Sequence, residues 1–132
     1  MELIIENLSK SYKDKKVVEN ISLSLKQGVY GLLGANGAGK TTLMRMLCGI
    51  LKPDSGSVKF DRTDVSTEEY RDILGYLPQD FGYYPEFTGM EFLMYMASLK
   101  GLNKASTKKK ATELMDLVGL GDKGRKKIKT YL

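Results

Sequence analysis

Histidine is absent from the 132-residue chain, and cysteine occurs once, at Cys48. The first absence excludes histidine acid–base catalysis, His-ligated zinc and every catalytic triad built on an imidazole. The second excludes an internal disulfide. No apolar run approaches the roughly 18 residues that a bilayer span requires. Met1-Glu2-Leu3 places no basic segment ahead of an apolar stretch, so no signal peptide is expected. The expected compartment is the reducing cytoplasm. Internal repeats and low-complexity linkers are also missing.

What is present is globular. Hydrophobic residues make up 42% of the chain, and 21 basic against 16 acidic side chains leave a net charge of +5. That length suits one modest domain with a real core. The charge is uneven: residues 1–99 carry 11 basic and 13 acidic groups, and residues 100–132 carry 10 and 3. The surplus lies in Lys108-Lys109-Lys110 and from Lys123 to Lys129. Without interleaved aromatics or zinc-finger spacing, it reads as a solvated helix face and loop, and no nucleic-acid partner is expected.

Periodicity gives a coarse order of elements. Leu3–Leu8 predicts a strand with Leu3, Ile5 and Asn7 on one side, and residues 9–16 are turn-like. Val17–Leu25 alternates, with Ile21, Leu23 and Leu25 on one face. Val29–Leu33 and Ile73–Leu77 are short apolar runs, as buried parallel strands are. Lys40–Ile50 predicts a helix with Leu43, Met46, Leu47 and Ile50 inward. Pro53-Asp54-Ser55-Gly56 signals a turn, and Ser57–Phe60 a strand. Glu68–Arg71 fits neither period. Thr88-Gly89-Met90-Glu91 is a capping box. The helix it opens, to about Lys100, is apolar on nearly every face. Such a helix is either covered by further parts of a larger domain or is a docking surface for a partner protein. A second helix, about Ser106–Val118, places Ala111, Leu114, Met115 and Val118 in one stripe, with Gly119 and Gly121 ending it.

The informative stretch is Gly34-Ala35-Asn36-Gly37-Ala38-Gly39-Lys40-Thr41, which fits G-x-x-x-x-G-K-[ST] at each fixed position. An apolar run precedes it and an amphipathic helix follows. Glycines let successive backbone N–H groups turn toward phosphate oxygens. The helix N-terminus adds partial positive charge. Lys40 reaches the terminal phosphates as a point charge, and Thr41 offers a hydroxyl to Mg²⁺. Thr42 is either a second hydroxyl near the phosphates or a buried cap. A bound nucleoside triphosphate is the chemistry this pattern serves; a glycine-rich turn with a neutral role is the alternative.

Taken together the chain resembles the ATP-binding subunit of ATP-binding cassette (ABC) transporters. The resemblance rests on Ile21-Ser22-Leu23 to Gly28, Tyr30-Gly31-Leu32-Leu33-Gly34, the phosphate loop with Thr41-Thr42-Leu43, and Gly49-Ile50-Leu51-Lys52-Pro53-Asp54-Ser55-Gly56. It continues through Gly75-Tyr76-Leu77-Pro78-Gln79, Tyr84-Pro85, Thr88 and Glu91. It covers essentially the whole chain and is most like the exporter-type subfamily, including drug and antibiotic-peptide exporters. It implies an α/β fold of the P-loop NTPase type, with an N-terminal antiparallel β subdomain, a partial RecA-like core and the start of a helical subdomain. The implied arrangement is one incomplete domain, with residues 1–80 as β subdomain and core and 81–132 as the start of the helical part.

The resemblance implies ATP and Mg²⁺ as ligands and assigns roles by position. Asn36, Gly37, Ala38, Gly39, Lys40, Thr41 and Thr42 would line the phosphates. Tyr12 would stack on adenine, its alternative being an ordinary strand-end tyrosine. Gln79 would sense Mg²⁺ and the attacking water, its alternative being a turn glutamine; Lys40 and Gln79 are the catalytic candidates. Phe81–Met96 would receive an integral-membrane permease, and a second ATP-binding subunit would complete a head-to-tail dimer. The location implied is peripheral, at the inner face of the cell membrane. Three positions depart from the common pattern: Ala35 stands where Pro is frequent, which changes loop stiffness and not donors; Asp61-Arg62 stands where Asp-Gly is common, which implies a reshaped hairpin; Met90 replaces a frequent Val and stays apolar. The family's S-G-G-x signature, its strand ending in Asp-Glu and its switch histidine are not among these residues. The expectation is therefore a marginally stable piece with no appreciable ATPase of its own. Other P-loop enzymes fit less well: there is no N-K-x-D base reader of a GTPase and no acceptor-substrate signature of a kinase. A soluble relative working on ribosomes or DNA repair finds only weak support, in the lysine-rich tail.

Overall fold

A computed structural model describes residues 1–79, 82 and 84–131. The chain divides into two compact units, Met1–Tyr76 and Leu77–Leu132.

The first unit is built on a four-stranded antiparallel sheet. Strands β1 (Glu2–Tyr12), β2 (Lys15–Lys26), β3 (Ser55–Phe60) and β4 (Thr63–Asp64) lie in the order β2-β1-β3-β4. The turn-like reading of residues 9–16 is too wide: β1 runs on to Tyr12, pairs with Lys15, and only Lys13 and Asp14 turn. The register of β1 shifts between Ile5 and Leu8, where Asn7 takes φ 48°. This bulge resets the alternation. Leu8 becomes wholly buried and Asn7 exposed, so the predicted inward Asn7 is corrected. The Ser22 hydroxyl accepts the Asn7 amide at 2.9 Å, replacing a lost ladder bond. Gly56 passes so close to the carbonyls of Glu6 and Asn7 that a Cβ there has no room.

Helix α1 (Lys40–Leu47) buries Met46 and lays Leu43 and Leu47 against the core. It ends three residues before the predicted Ile50, which is exposed; Gly49 turns the chain at φ 70°. Thr67 caps the short helix α2 (Glu68–Ile73), whose Tyr70 is buried and donates its hydroxyl to the Leu47 carbonyl at 2.9 Å. Ile5, Leu8, Val18, Met46, Val58, Val65 and Tyr70 form the core.

The two predicted buried strands are not strands. Residues 29–35 carry no regular structure, Val29 and Leu33 are fully exposed, and Ile73 belongs to α2 with 74–78 irregular after it. A parallel strand needs flanking strands and covering helices. Among the described residues no sheet offers them.

The second unit pairs helices α3 (Gly89–Leu99) and α4 (Lys104–Leu117). Both halves of the Thr88–Glu91 capping box form. α4 starts earlier than its apolar stripe suggests, because the Asn103 side chain accepts the amides of Ala105 and Ser106. Its buried positions are Thr107, Ala111 and Met115; Leu114 and Val118 are exposed, which corrects the predicted stripe. Residues 123–129 are more ordered than a loop. Lys127 bridges to Thr88, and the amides of Ile128 and Lys129 donate to the carbonyls of Phe87 and Pro85.

Candidate functional site

The phosphate loop lies in the first unit, between the unpaired segment 29–33 and α1. It curls on itself: the Ala38 amide donates to the Ala35 carbonyl at 3.1 Å, closing a turn over Asn36 and Gly37. The Lys40 amine folds back over the loop. It donates to the Gly34 carbonyl and, at 2.9 Å, to the Ala35 carbonyl. Two carbonyl oxygens thus hold one cation against the loop.

Gly39 makes this placement possible. It takes φ 91° at the start of α1, and an added Cβ would lie 2.5 Å from the Val17 carbonyl of β2. The loop is therefore seated on the β2 backbone as only glycine allows. No side chain caps the first turn of α1, and that turn carries no acidic residue. No carboxylate of that turn competes for its free amides and partial positive charge. Thr41 is exposed and Thr42 half-buried.

Tyr12 ends β1 in the same unit, 47% exposed. Its neighbours were not singled out from sequence. The Lys10 amine stands 5.5 Å from the Tyr12 ring centroid and pairs with Asp54 at 3.2 Å. The Asp54 carboxyl also accepts the Ser11 amide at 2.7 Å, which with Lys10 holds it below the usual carboxylate range. The signal available in the sequence was Lys10 two residues before Tyr12, with an acidic residue in the Pro53–Gly56 turn.

A cavity of about 570 Å³ lies beside the end of α1, lined by Met46, Ile50, Pro53, Val58 and Val65 among others. None of the phosphate-loop residues line it. The loop, with its cation and helix start, is the better anion site.

Gln79 is exposed in the second unit. Phe81, part of the expected docking range, lies outside the described residues. The rest of that range shows a ring cluster: Tyr84 stacks on Phe87 at 5.0 Å and meets Tyr95 edge-on at 5.6 Å. Met96 and Leu99 beyond it are exposed. Glu86, also missed in the sequence, accepts from Lys127 at 2.8 Å and Lys129 at 2.7 Å, which lowers its carboxyl to about 2.

The donor set suits a magnesium nucleotide. A cation and uncapped helix amides match phosphate, and one exposed hydroxyl, Thr41, matches an ion that keeps most of its waters. Among the described residues no group of three or more His, Cys, Asp or Glu forms a dedicated metal cage. No helix among them is long and apolar enough to cross a membrane.

The ABC transporter family matches residues 18–132. A linearmycin resistance ATP-binding protein of Bacillus subtilis (strain 168) is 38% identical over 129 residues, 96% of this chain and 42% of that protein. A daunorubicin resistance ATP-binding protein of Streptomyces coeruleorubidus is 36% identical over 98% of this chain and 42% of its own length. The chain thus spans less than half the length of these relatives. A solved ATP-binding subunit of an ABC transporter superposes with a TM-score of 0.81 at 25% identity, over 96% of this chain and 54% of that one. The antiparallel sheet and α/β class expected from the sequence are those of these P-loop ATPase domains. With a family match over most of its length, the chain belongs to the ABC transporter ATP-binding family.

Proposed function

We propose that this chain binds ATP with Mg²⁺ through residues 34–42, as part of an ATP-binding subunit that couples hydrolysis to transport across a membrane. The observation that carries this reading is the Lys40 amine, held on the carbonyls of Gly34 and Ala35 at the start of an uncapped helix. There it can exchange weak carbonyl partners for phosphate oxygens, which are stronger acceptors. Asn36, Gly37, Ala38 and Gly39 surround the phosphates with backbone. Thr41, with Thr42 behind it, contributes a hydroxyl at the metal, and Tyr12 offers a ring to the base. When bound, Mg²⁺ supplies neutralising charge at the phosphate oxygens. Gln79 orients the attacking water in this reading, and Lys40 stabilises charge developing on the transferred phosphoryl group.

The names of the two resistance proteins point to export of an antibiotic-type compound by the whole protein. The ring cluster at Tyr84, Phe87 and Tyr95, with exposed Met96, supports docking of a permease near residues 81–96. A second ATP-binding subunit would face the phosphate loop, and the complex would be peripheral at the inner face of the membrane. The sequence contains no adjacent Asp-Glu, and in this reading the 132 residues bind nucleotide without appreciable turnover by themselves.

Titration calorimetry with MgATP tests the binding. Lys40→Ala removes a charge-assisted contact of about 1.5–3 kcal/mol, so affinity falls by roughly ten- to a hundredfold. Equal affinity of the variant and the parent chain would reject the reading. Steady-state phosphate release from the 132 residues above the Lys40→Ala level would reject the inactivity.

A further inference from the structure

We propose that Lys10, held by Asp54, is the positioning residue for Tyr12: it covers one face of the ring and leaves the other for the nucleotide base. This rests on the reading of Tyr12 as the base-stacking residue. The geometry is a short relay. Asp54 is fixed twice by backbone, its amide donating to the Ser9 carbonyl at 2.9 Å and its carboxyl accepting the Ser11 amide at 2.7 Å. It pins the Lys10 amine at 3.2 Å, and the Lys10 side chain is only 16% exposed although it carries a charge. That amine stands over the Tyr12 ring, 5.5 Å from its centroid.

The register of β1 shifts between Lys10 and Ser11, so the ladder alone does not fix the direction of the strand end. The relay supplies what the ladder lacks. A cation over one ring face is attracted by the negative π face and excludes a second occupant there. An adenine, itself an aromatic ring, is then directed to the opposite face. Asp54 follows α1 in the chain and reaches back to β1, so one carboxylate links the segment after the phosphate-loop helix to the base-binding ring.

The test compares ATP with inorganic tripolyphosphate, both with Mg²⁺, on the full chain. Tripolyphosphate reads the loop alone, so the ratio of the two affinities reads the base. Tyr12→Ala lowers that ratio by about tenfold if the ring stacks on the base. Lys10→Met keeps the stem and Asp54→Asn keeps an acceptor for Ser11. Each is expected to lower the ratio by about two- to fivefold with tripolyphosphate unchanged and to shift the Tyr12 ring resonances without nucleotide, whereas Lys10→Arg, which keeps the cation, is expected to retain the parental ratio and resonances. A reduced ratio in Tyr12→Ala with parental ratios in Lys10→Met and Asp54→Asn overturns the positioning role. An unchanged ratio in Tyr12→Ala overturns it by removing the stacking reading beneath it. A parallel loss of both ligands marks a structural effect and also counts against it.

Discussion

A methyl group at residue 39 would meet the Val17 carbonyl at 2.5 Å, and the φ of 91° there is itself costly for any residue with a Cβ. Gly37 has a similar φ of 83° but open space around it. The two glycines therefore separate strain from contact. Gly37→Ala is expected to cost about 1–2 kcal/mol, the left-handed penalty alone. Gly39→Ala adds displacement of the loop from β2 and should weaken MgATP binding by a further factor of about ten. Urea unfolding and calorimetry on both variants check this; equal affinities in the two would mean that the loop is not seated on Val17. At the same scale, Glu86 answers to pH. Its carboxyl is lowered from 4.5 to about 2 by its hydrogen bonds to Lys127 and Lys129. A depressed carboxyl contributes to stability fully above its ordinary value, and the contribution is lost as pH falls from about 4.5 to about 2. The pair is solvent-exposed, so added salt weakens it. An NMR titration should place the Glu86 midpoint near 2 in low salt; a midpoint at the ordinary value would remove the double pairing.

Helix α3 begins where its own residues say it must. Thr88 accepts the Glu91 amide at 3.1 Å, and Glu91 accepts the Thr88 amide at 2.7 Å. Thr88→Ala loses the first and loosens the second, an expected cost of about 1 kcal/mol, while Thr88→Ser keeps both. Hydrogen exchange of the α3 amides in the two variants is the check; equal protection would mean that tertiary packing alone sets the helix start. This element was legible in the sequence because its determinants lie within four residues. The phosphate loop and its helix were legible for the same reason. The bulge at Asn7 was not, because it depends on Ser22 and Gly56, which lie far off in the chain. The Lys10–Asp54 pair escaped for a similar reason: 44 residues separate its members. The runs at 29–33 and 73–77 carry the composition of buried strands, but composition states a need for neighbours and does not supply them.

The whole molecule is therefore uneven in how its apolar surface is covered. Ile5, Leu8, Val18 and Met46 are almost wholly buried, while Val29, Leu33 and Leu77 are 103%, 93% and 79% exposed. An unpaired apolar segment with free backbone groups is a template for association. Matching 42% of the length of its resistance relatives, the chain has β1 to β4 paired in one sheet and the segment at 29–33 outside any ladder. Opposite behaviour of the two regions follows. Amides of β1 and β2 in the isolated 132 residues should exchange slowly, at rates set by opening of the core. Amides from Val29 to Leu33 should exchange within about tenfold of the unstructured rate, since each lacks a partner. The same segment should make the chain bind an apolar dye and associate as concentration rises. Charging it, by Val29→Lys with Leu33→Lys, should reduce both without lowering the unfolding midpoint, because neither side chain has core contacts to lose. Slow exchange at 29–33 equal to that of β1 would mean that a partner strand forms in solution, and the charged variant would then be destabilised and not merely more soluble.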